Sequence, residues 1–255
     1  ADITSNKDID IVFILTRHDS HSGLVVEALK NDKHVYVEKP LSIDYKGLEK
    51  IKSALSDSKG TITVGYNRRY SPAVSYVMDE KNNNPSPVSI NCIINPGEAR
   101  VSHWTNDLDI GGGRIIGEFC HFIDLCTFIA NSEIDTFTYA SLEENNSRLG
   151  HNETVSVLLK HRNGSVSNIS YFCNGNSNYP KEKMEIFSDG QVFLINDFKE
   201  VLKYTSKRIT KKKFGKQDKG HENTLKMFFK SVEKGETLMD FEMLFDISKK
   251  IFEIR

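Results

Sequence analysis

The stretch Ile9-Asp10-Ile11-Val12-Phe13-Ile14-Leu15, with the turn Thr16-Arg17-His18-Asp19-Ser20 and the segment His21-Ser22-Gly23-Leu24-Val25-Val26-Glu27-Ala28-Leu29 behind it, decides the architecture of the amino-terminal part of this chain. A short, nearly continuous apolar run is the pattern of a strand covered on both faces, and it reads as a central parallel strand. After the polar turn, Leu24, Val25, Ala28 and Leu29 recur at helical spacing. Strand grammar returns at His34-Val35-Tyr36-Val37 and stops at Glu38-Lys39-Pro40; a helix follows from about Asp44 to Ser58, then a strand from Thr61 to Val64. Such alternation predicts parallel pairing through right-handed crossovers.

Working outward, Pro72 opens a helix that runs to about Glu80, and Lys81-Asn82-Asn83-Asn84-Pro85-Ser86-Pro87 then breaks every periodicity. The domain boundary is expected there, giving domains 1–82 and 83–255, with the carboxyl-terminal helices free to pack back on the first. Beyond the break come a strand from Val88 to Ile94, a polar loop and a helix from about Arg114 to Ala130. The turns Arg162-Asn163-Gly164-Ser165 and Ser188-Asp189-Gly190-Gln191 lie between alternating apolar runs and predict hairpins of an antiparallel sheet. Two amphipathic helices, about Gly220 to Lys234 and Asp240 to Glu253, close the chain.

The 255 residues suffice for two ordinary domains, and 38% hydrophobic and 27% charged residues are values of a folded globular chain. No apolar run reaches the roughly 20 residues that cross a bilayer, and Ala1 to Asp10 are not signal-like, so no membrane partner and a cytoplasmic location are expected. Cys92, Cys120, Cys126 and Cys173 are widely spaced and suggest free thiols rather than a zinc ribbon or a disulfide framework. A formal charge of -1 offers no field for nucleic acid. The run Lys207, Arg208, Lys211, Lys212 and Lys213 reads as a solvated edge strand or loop.

Ligands of open parallel sheets bind beyond the carboxyl ends of the strands. Two such ends are Thr16 to His21 and Glu38-Lys39-Pro40. The series from Ile11 through Thr16, His21 and Lys33-His34-Val35 to Glu38-Lys39-Pro40-Leu41 resembles the second half of the nucleotide domain of the glucose-fructose oxidoreductase and inositol dehydrogenase family (Gfo/Idh/MocA). So does Val64-Gly65-Tyr66-Asn67-Arg68-Arg69-Tyr70-Ser71-Pro72. The block Gly111-Gly112-Gly113-Arg114-Ile115-Ile116-Gly117-Glu118-Phe119-Cys120-His121-Phe122-Ile123-Asp124 resembles the glycine-led helix that carries the family's catalytic histidine. The wording of the last two blocks is nearest to the sugar-dehydrogenase half of two-part oxidoreductases found with bacterial surface-polysaccharide genes.

The resemblance implies a partial Rossmann domain (parallel sheet, first strands missing) followed by an open, mainly antiparallel sheet with helices on one face, an α/β plus α+β fold. It implies NAD or NADP as cofactor, a sugar or nucleotide-sugar substrate, and a homo-oligomer, dimer or tetramer, formed through the other sheet face. Thr16, His18, His21, Glu38, Lys39, Pro40 and Asn67 are the implied cofactor positions. Lys39 and His121 are implied to converge across a cleft whose sugar side is lined by Tyr66, Arg68, Arg69, Trp104 and Asp124. His18-x-x-His21 lacks a third ligand nearby and reads as nicotinamide-pocket lining; no metal is expected.

Hydride transfer at a carbinol carbon requires a proton to move at the oxygen in step, so a cation and a general acid-base must face that oxygen. Lys39 at a strand end and His121, whose unperturbed pKa is near neutrality, suit these roles. Asp124, three residues on, shares a helix face with His121 and could orient the ring or grip a sugar hydroxyl. Two departures from the family pattern stand out. Gly117 replaces the aspartate that many members carry one turn before the histidine, which opens a second reading: a catalytically silent sugar- and cofactor-binding or regulatory protein. Neither Gly-x-Gly-x-x-Gly nor the acidic ribose reader of a Rossmann start is present, so the sequence reads as an amino-terminally truncated fragment that binds cofactor poorly by itself.

Overall fold

The computed structural model describes residues 3–81, 86–97, 103–142 and 153–255; the expected boundary between residues 82 and 83 lies outside them. In chain order the first elements are β1 (Ile11–Ile14), α1 (His18–Lys30), β2 (His34–Val37), α2 (Tyr45–Ser56), β3 (Ile62–Val64), α3 (Pro72–Lys81) and β4 (Ser89–Ile94). Then follow α4 (Cys120–Ala130), β5 (Ile134–Ser141), β6 (Val155–His161), β7 (Val166–Tyr171), β8 (Glu182–Ser188), β9 (Gln191–Asn196), β10 (Glu200–Tyr204) and β11 (Ile209–Lys213). Helices α5 (His221–Lys234) and α6 (Phe241–Ile254) end the chain. These elements form two compact units that are discontinuous in sequence: Ala1–Tyr66 with Ser102–His121 and Glu222–Arg255, and Asn67–Val101 with Phe122–His221.

In the first unit β1, β2 and β3 pair in parallel in that order, with Ile14 opposite Val37 and Val37 opposite Val64. This is the Rossmann-like sheet expected from the alternating strands and helices. Asp44 caps α2 by accepting from the Gly47 N–H at 2.6 Å, and Asp240 caps α6 through Met243 at 3.1 Å. Phe228 of α5 packs edge-on to Phe13 and Tyr36, and Tyr45 of α2 to Phe252 of α6, so α5 and α6 pack against elements of the first unit. Among the described residues β1 pairs only with β2, so the strand read as central lies at the sheet edge, with Phe13 40% and Leu15 64% exposed. An apolar run reports cover on the two faces and not the number of hydrogen-bonded neighbours.

The second unit is a mixed, mainly antiparallel sheet in the order β11-β10-β9-β8-β4-β7-β6-β5, whose one parallel pair is β4 with β7. Alternate residues on one face, among them Ile90, Cys92, Ile169, Tyr171, Met184, Ile186 and Phe193, are buried. Phe122 of α4 meets Tyr171, and Glu80 of α3 pairs with Lys203 of β10. Helix α4 is buried nearly all round and mostly apolar, with His121, Asp124 and Thr127 as its polar residues; each fully buried Phe, Leu or Ile contributes roughly 1.5 to 3 kcal/mol. Lys211, Lys212 and Lys213 of the basic run lie in the edge strand β11, with Lys207 and Arg208 just before it; all are exposed, and Lys211 pairs with Glu200. The helix expected from Arg114 opens instead with a π-type turn, Ile115–Phe119, before α4 begins.

Candidate active site

Because β1 and β2 are neighbouring parallel strands, Thr16 and Glu38-Lys39-Pro40 emerge side by side from their carboxyl ends. The fully buried His21 fastens the two ends together. Its Nδ1 lies 2.7 Å from the Pro40 carbonyl oxygen and its Nε2 3.1 Å from that of Thr16, so both ring nitrogens face main chain. The Thr16 hydroxyl is exposed and 2.6 Å from that of Ser20. Glu38 folds over Gly65, where an added Cβ would stand 2.9 Å from its Oε1. The Lys39–Pro40 peptide is cis.

The glycine-led block reaches the same place. Gly112 and Gly113 take φ of +77° and +79°, a left-handed turn open to glycine, and swing the chain into the π-type turn. Behind them the Asp19 N–H donates to the Ile110 carbonyl at 3.0 Å, and His18 Nδ1 donates to the Gly111 carbonyl at 2.7 Å. The His18 ring meets Trp104 at 4.7 Å between centroids, edge to face. Burial pulls the pKa of His18 down to about 4; the Gly111 carbonyl opposes that shift and the Lys39 charge adds to it. At neutral pH the ring is therefore uncharged. Lys39 Nζ donates to the Gly117 carbonyl at 2.5 Å, one turn upstream of His121 in sequence. His121 is 5% exposed, with the Tyr66 ring set across it at 5.9 Å and 70°.

In the second unit the expected sugar-side arginines are buried in ion pairs. Arg68 grips Glu182 with Nε and Nη2, both at 2.9 Å, while Lys219 Nζ reaches the same carboxylate at 2.5 Å. Burial pushes the Glu182 carboxyl up, yet Arg68 and Lys219 outweigh it and hold its pKa below the usual carboxylate range. Arg69 Nε donates to Asp124 at 2.7 Å, and its Nη2 donates to the other Asp124 oxygen. Both oxygens of Asp124 are thus taken by Arg69 and not by an imidazole. Burial raises the Asp124 pKa despite that pairing. Asn67 Nδ2 donates to the Lys219 carbonyl at 2.7 Å.

The structure accordingly brings Thr16, His18, His21, Glu38, Lys39, Pro40, Tyr66, Trp104 and His121 into one unit, and leaves Asn67, Arg68, Arg69 and Asp124 in the other. Sequence reasoning missed Glu182 and the Gly117 carbonyl. Glu182 had a signal: it alternates with Met184 and Ile186 on the buried face of β8, and a charge on such a face requires partners. Among the described residues no group of three or more His, Cys, Asp or Glu is placed to hold a metal, and no helix is long and apolar enough to cross a membrane.

The first unit thus combines a Rossmann-like sheet, a lysine at the end of β2 and a buried histidine. Residues 1–66 match the model of Gfo/Idh/MocA, an oxidoreductase family with an NAD-binding Rossmann fold. The chain is 25% identical over 174 residues to inositol 2-dehydrogenase of Rhizobium meliloti (strain 1021), covering 66% of this chain and 52% of that protein. It is 27% identical over 203 residues to inositol 2-dehydrogenase/D-chiro-inositol 3-dehydrogenase of Lacticaseibacillus casei, covering 76% and 56%. The chain thus spans about half the length of these curated relatives. The solved structure of levoglucosan dehydrogenase, a complex with NADH and levoglucosan, superposes with a TM-score of 0.82 at 17% identity, covering 99% of this chain and 79% of that one, a likeness of fold.

Proposed function

We propose that this chain forms part of an NAD- or NADP-dependent oxidoreductase that transfers hydride to or from a carbinol carbon of a sugar or nucleotide-sugar. One observation carries the reading: Lys39 is held at a parallel strand end with its ammonium on the main chain of the segment that leads into His121. When bound, the nicotinamide accepts or supplies the hydride. The exposed Thr16 hydroxyl and the half-buried Glu38 carboxylate, at adjacent strand ends, suit a carboxamide-bearing ring, with Pro40 shaping the turn and His21 holding both ends. In the oxidative direction Lys39 faces the substrate oxygen, whose proton passes to His121 as the carbon–oxygen double bond forms. The half-buried Trp104 offers aromatic surface to a polyhydroxylated ligand, and the buried Tyr66 backs His121.

A second reading, a silent sugar- and cofactor-binding or regulatory protein, is favoured by two features: residue 117 has no side chain, and Asp124 is occupied by Arg69. Incubating the native protein with NAD and NADP and a panel of inositols, pyranoses and nucleotide-sugars separates the two. Nicotinamide reduction with at least one polyol supports the enzyme, whereas cofactor binding without turnover across the panel supports the silent binder.

We also propose a role in sugar or polysaccharide metabolism, a cytoplasmic location, and a dimer or tetramer joined through the face of the eight-stranded sheet opposite α3 and α4. Leu158, Val166, Phe187 and Tyr204 stand exposed on that face. The four free cysteines suit a reducing compartment.

A further inference from the structure

Residue 117 is enclosed on two sides by side chains of its own unit. On the side where a side chain would project lies the His18 ring: a Cβ built on Gly117 would come within 3.0 Å of Cε1 and 3.4 Å of Nδ1. On the carbonyl side lies the Lys39 ammonium, 2.5 Å away. The His18 ring has little room to yield, because its Nδ1–H is committed to the Gly111 carbonyl and Trp104 lies against it. The π-type turn that contains Gly117 lacks the regular i to i−4 ladder, so its carbonyls depend more on their surroundings for a fixed direction.

We propose that His18 is a positioning residue for Lys39: by filling the space beside Gly117 it fixes the backbone carbonyl that anchors the lysine ammonium. Its catalytic weight rests on the reading of Lys39 as the cation facing the substrate oxygen, but the positioning itself does not. A neutral ring suits the task, because an imidazolium there would stand near Lys39 and His21 with only Asp19 to offset it. Glycine at 117 is then a requirement of the packing, since any larger residue competes with His18 for one volume.

Two measurements that need no turnover test this. The first is a double-mutant cycle on thermal stability with Gly117→Ala and His18→Ala. Gly117→Ala by itself should lower Tm, and in the His18→Ala background its cost should fall to about half or less, because residues in contact couple. Strictly additive costs would overturn the proposal. The second is acetylation of Lys39 by limiting acetic anhydride, read by peptide mass spectrometry. Folded His18→Ala should react at least about threefold faster, while His18→Asn, whose amide N–H can still donate to the Gly111 carbonyl, should return toward the native rate. An unchanged Lys39 rate in His18→Ala would overturn the proposal, and His18→Ser, which also removes the ring, takes its place in both measurements if the alanine variant folds poorly. In an active native enzyme His18→Ala should lower kcat with little change in KM for the sugar. If even the native protein turns over nothing, the enzyme reading fails while the stability and labelling results stay readable.

Discussion

Lys39 gives its ammonium to the carbonyl oxygen of Gly117 at 2.5 Å, so the residue at the end of β2 and the turn before α4 are held as one piece. If that ammonium is the group that faces the substrate oxygen, Lys39→Ala should cut turnover of the native enzyme at least about a hundredfold, the usual scale for a positioned catalytic group. Lys39→Arg should not restore it, because a planar guanidinium cannot reproduce a compact point charge at that carbonyl. Initial rates of nicotinamide reduction check both; full activity in Lys39→Ala would remove the residue from the mechanism.

His18 makes stability depend on acid. Its pKa falls from 6.5 in an unfolded chain to about 4 in the fold, so between those values the unfolded chain binds more protons. Stability from this group is complete above pH 6.5 and is lost as pH drops toward 4, by about 3 kcal/mol at most. Urea melts of the native chain and of His18→Asn between pH 7 and 4.5 should diverge, with the variant losing less. Parallel curves would show that the ring is not buried neutral.

The ion-paired cluster of the second unit should fail asymmetrically. Glu182→Ala leaves Arg68 and Lys219 without their shared carboxylate in a buried setting, and should cost about 3 to 5 kcal/mol. Lys52→Ala, which removes an exposed pair with Glu242, should cost within about 1 kcal/mol. Urea midpoints of the two variants give the comparison directly.

The outer sheet face yields a test of assembly. Phe187 is 45% exposed beside Val192 in register, and a lysine there would place charge in the middle of any contact made by that face. Phe187→Lys should shift sedimentation toward the monomer while leaving Tm within a few degrees. An unchanged oligomer would move the interface elsewhere.

Much of this fold was legible because its local signals agree. The apolar run at Ile11, the turn at Glu38-Lys39-Pro40 and the asparagine-glycine and aspartate-glycine hairpins each bounded an element where the structure has one. Periodicity could not reveal that β4 pairs with β7 in parallel, since strand patterns carry no partner label. At the candidate site, strand ends and glycines singled out Lys39, Gly112 and His121, which the structure places in one unit. The ion pairs of Arg68 with Glu182 and of Arg69 with Asp124 were not legible, because a polar residue in a ligand-like motif and a buried ion pair look alike until the opposite charge is located.

The placement of β4 sets a condition on how the second sheet can be assembled. Its two neighbours, β7 and β8, both lie far downstream, and the chain between β7 and β8 makes no hairpin because β4 lies between them. The β5–β7 meander and the β8–β11 meander can each form from local contacts, but they remain separate halves until an earlier-made strand slots in. That closure spans a long loop, so it carries the entropic barrier of a high-contact-order step and is expected to limit the folding rate. Until it occurs, β7 and β8 both present open edges, the interval in which the chain is most exposed to pairing with its neighbours.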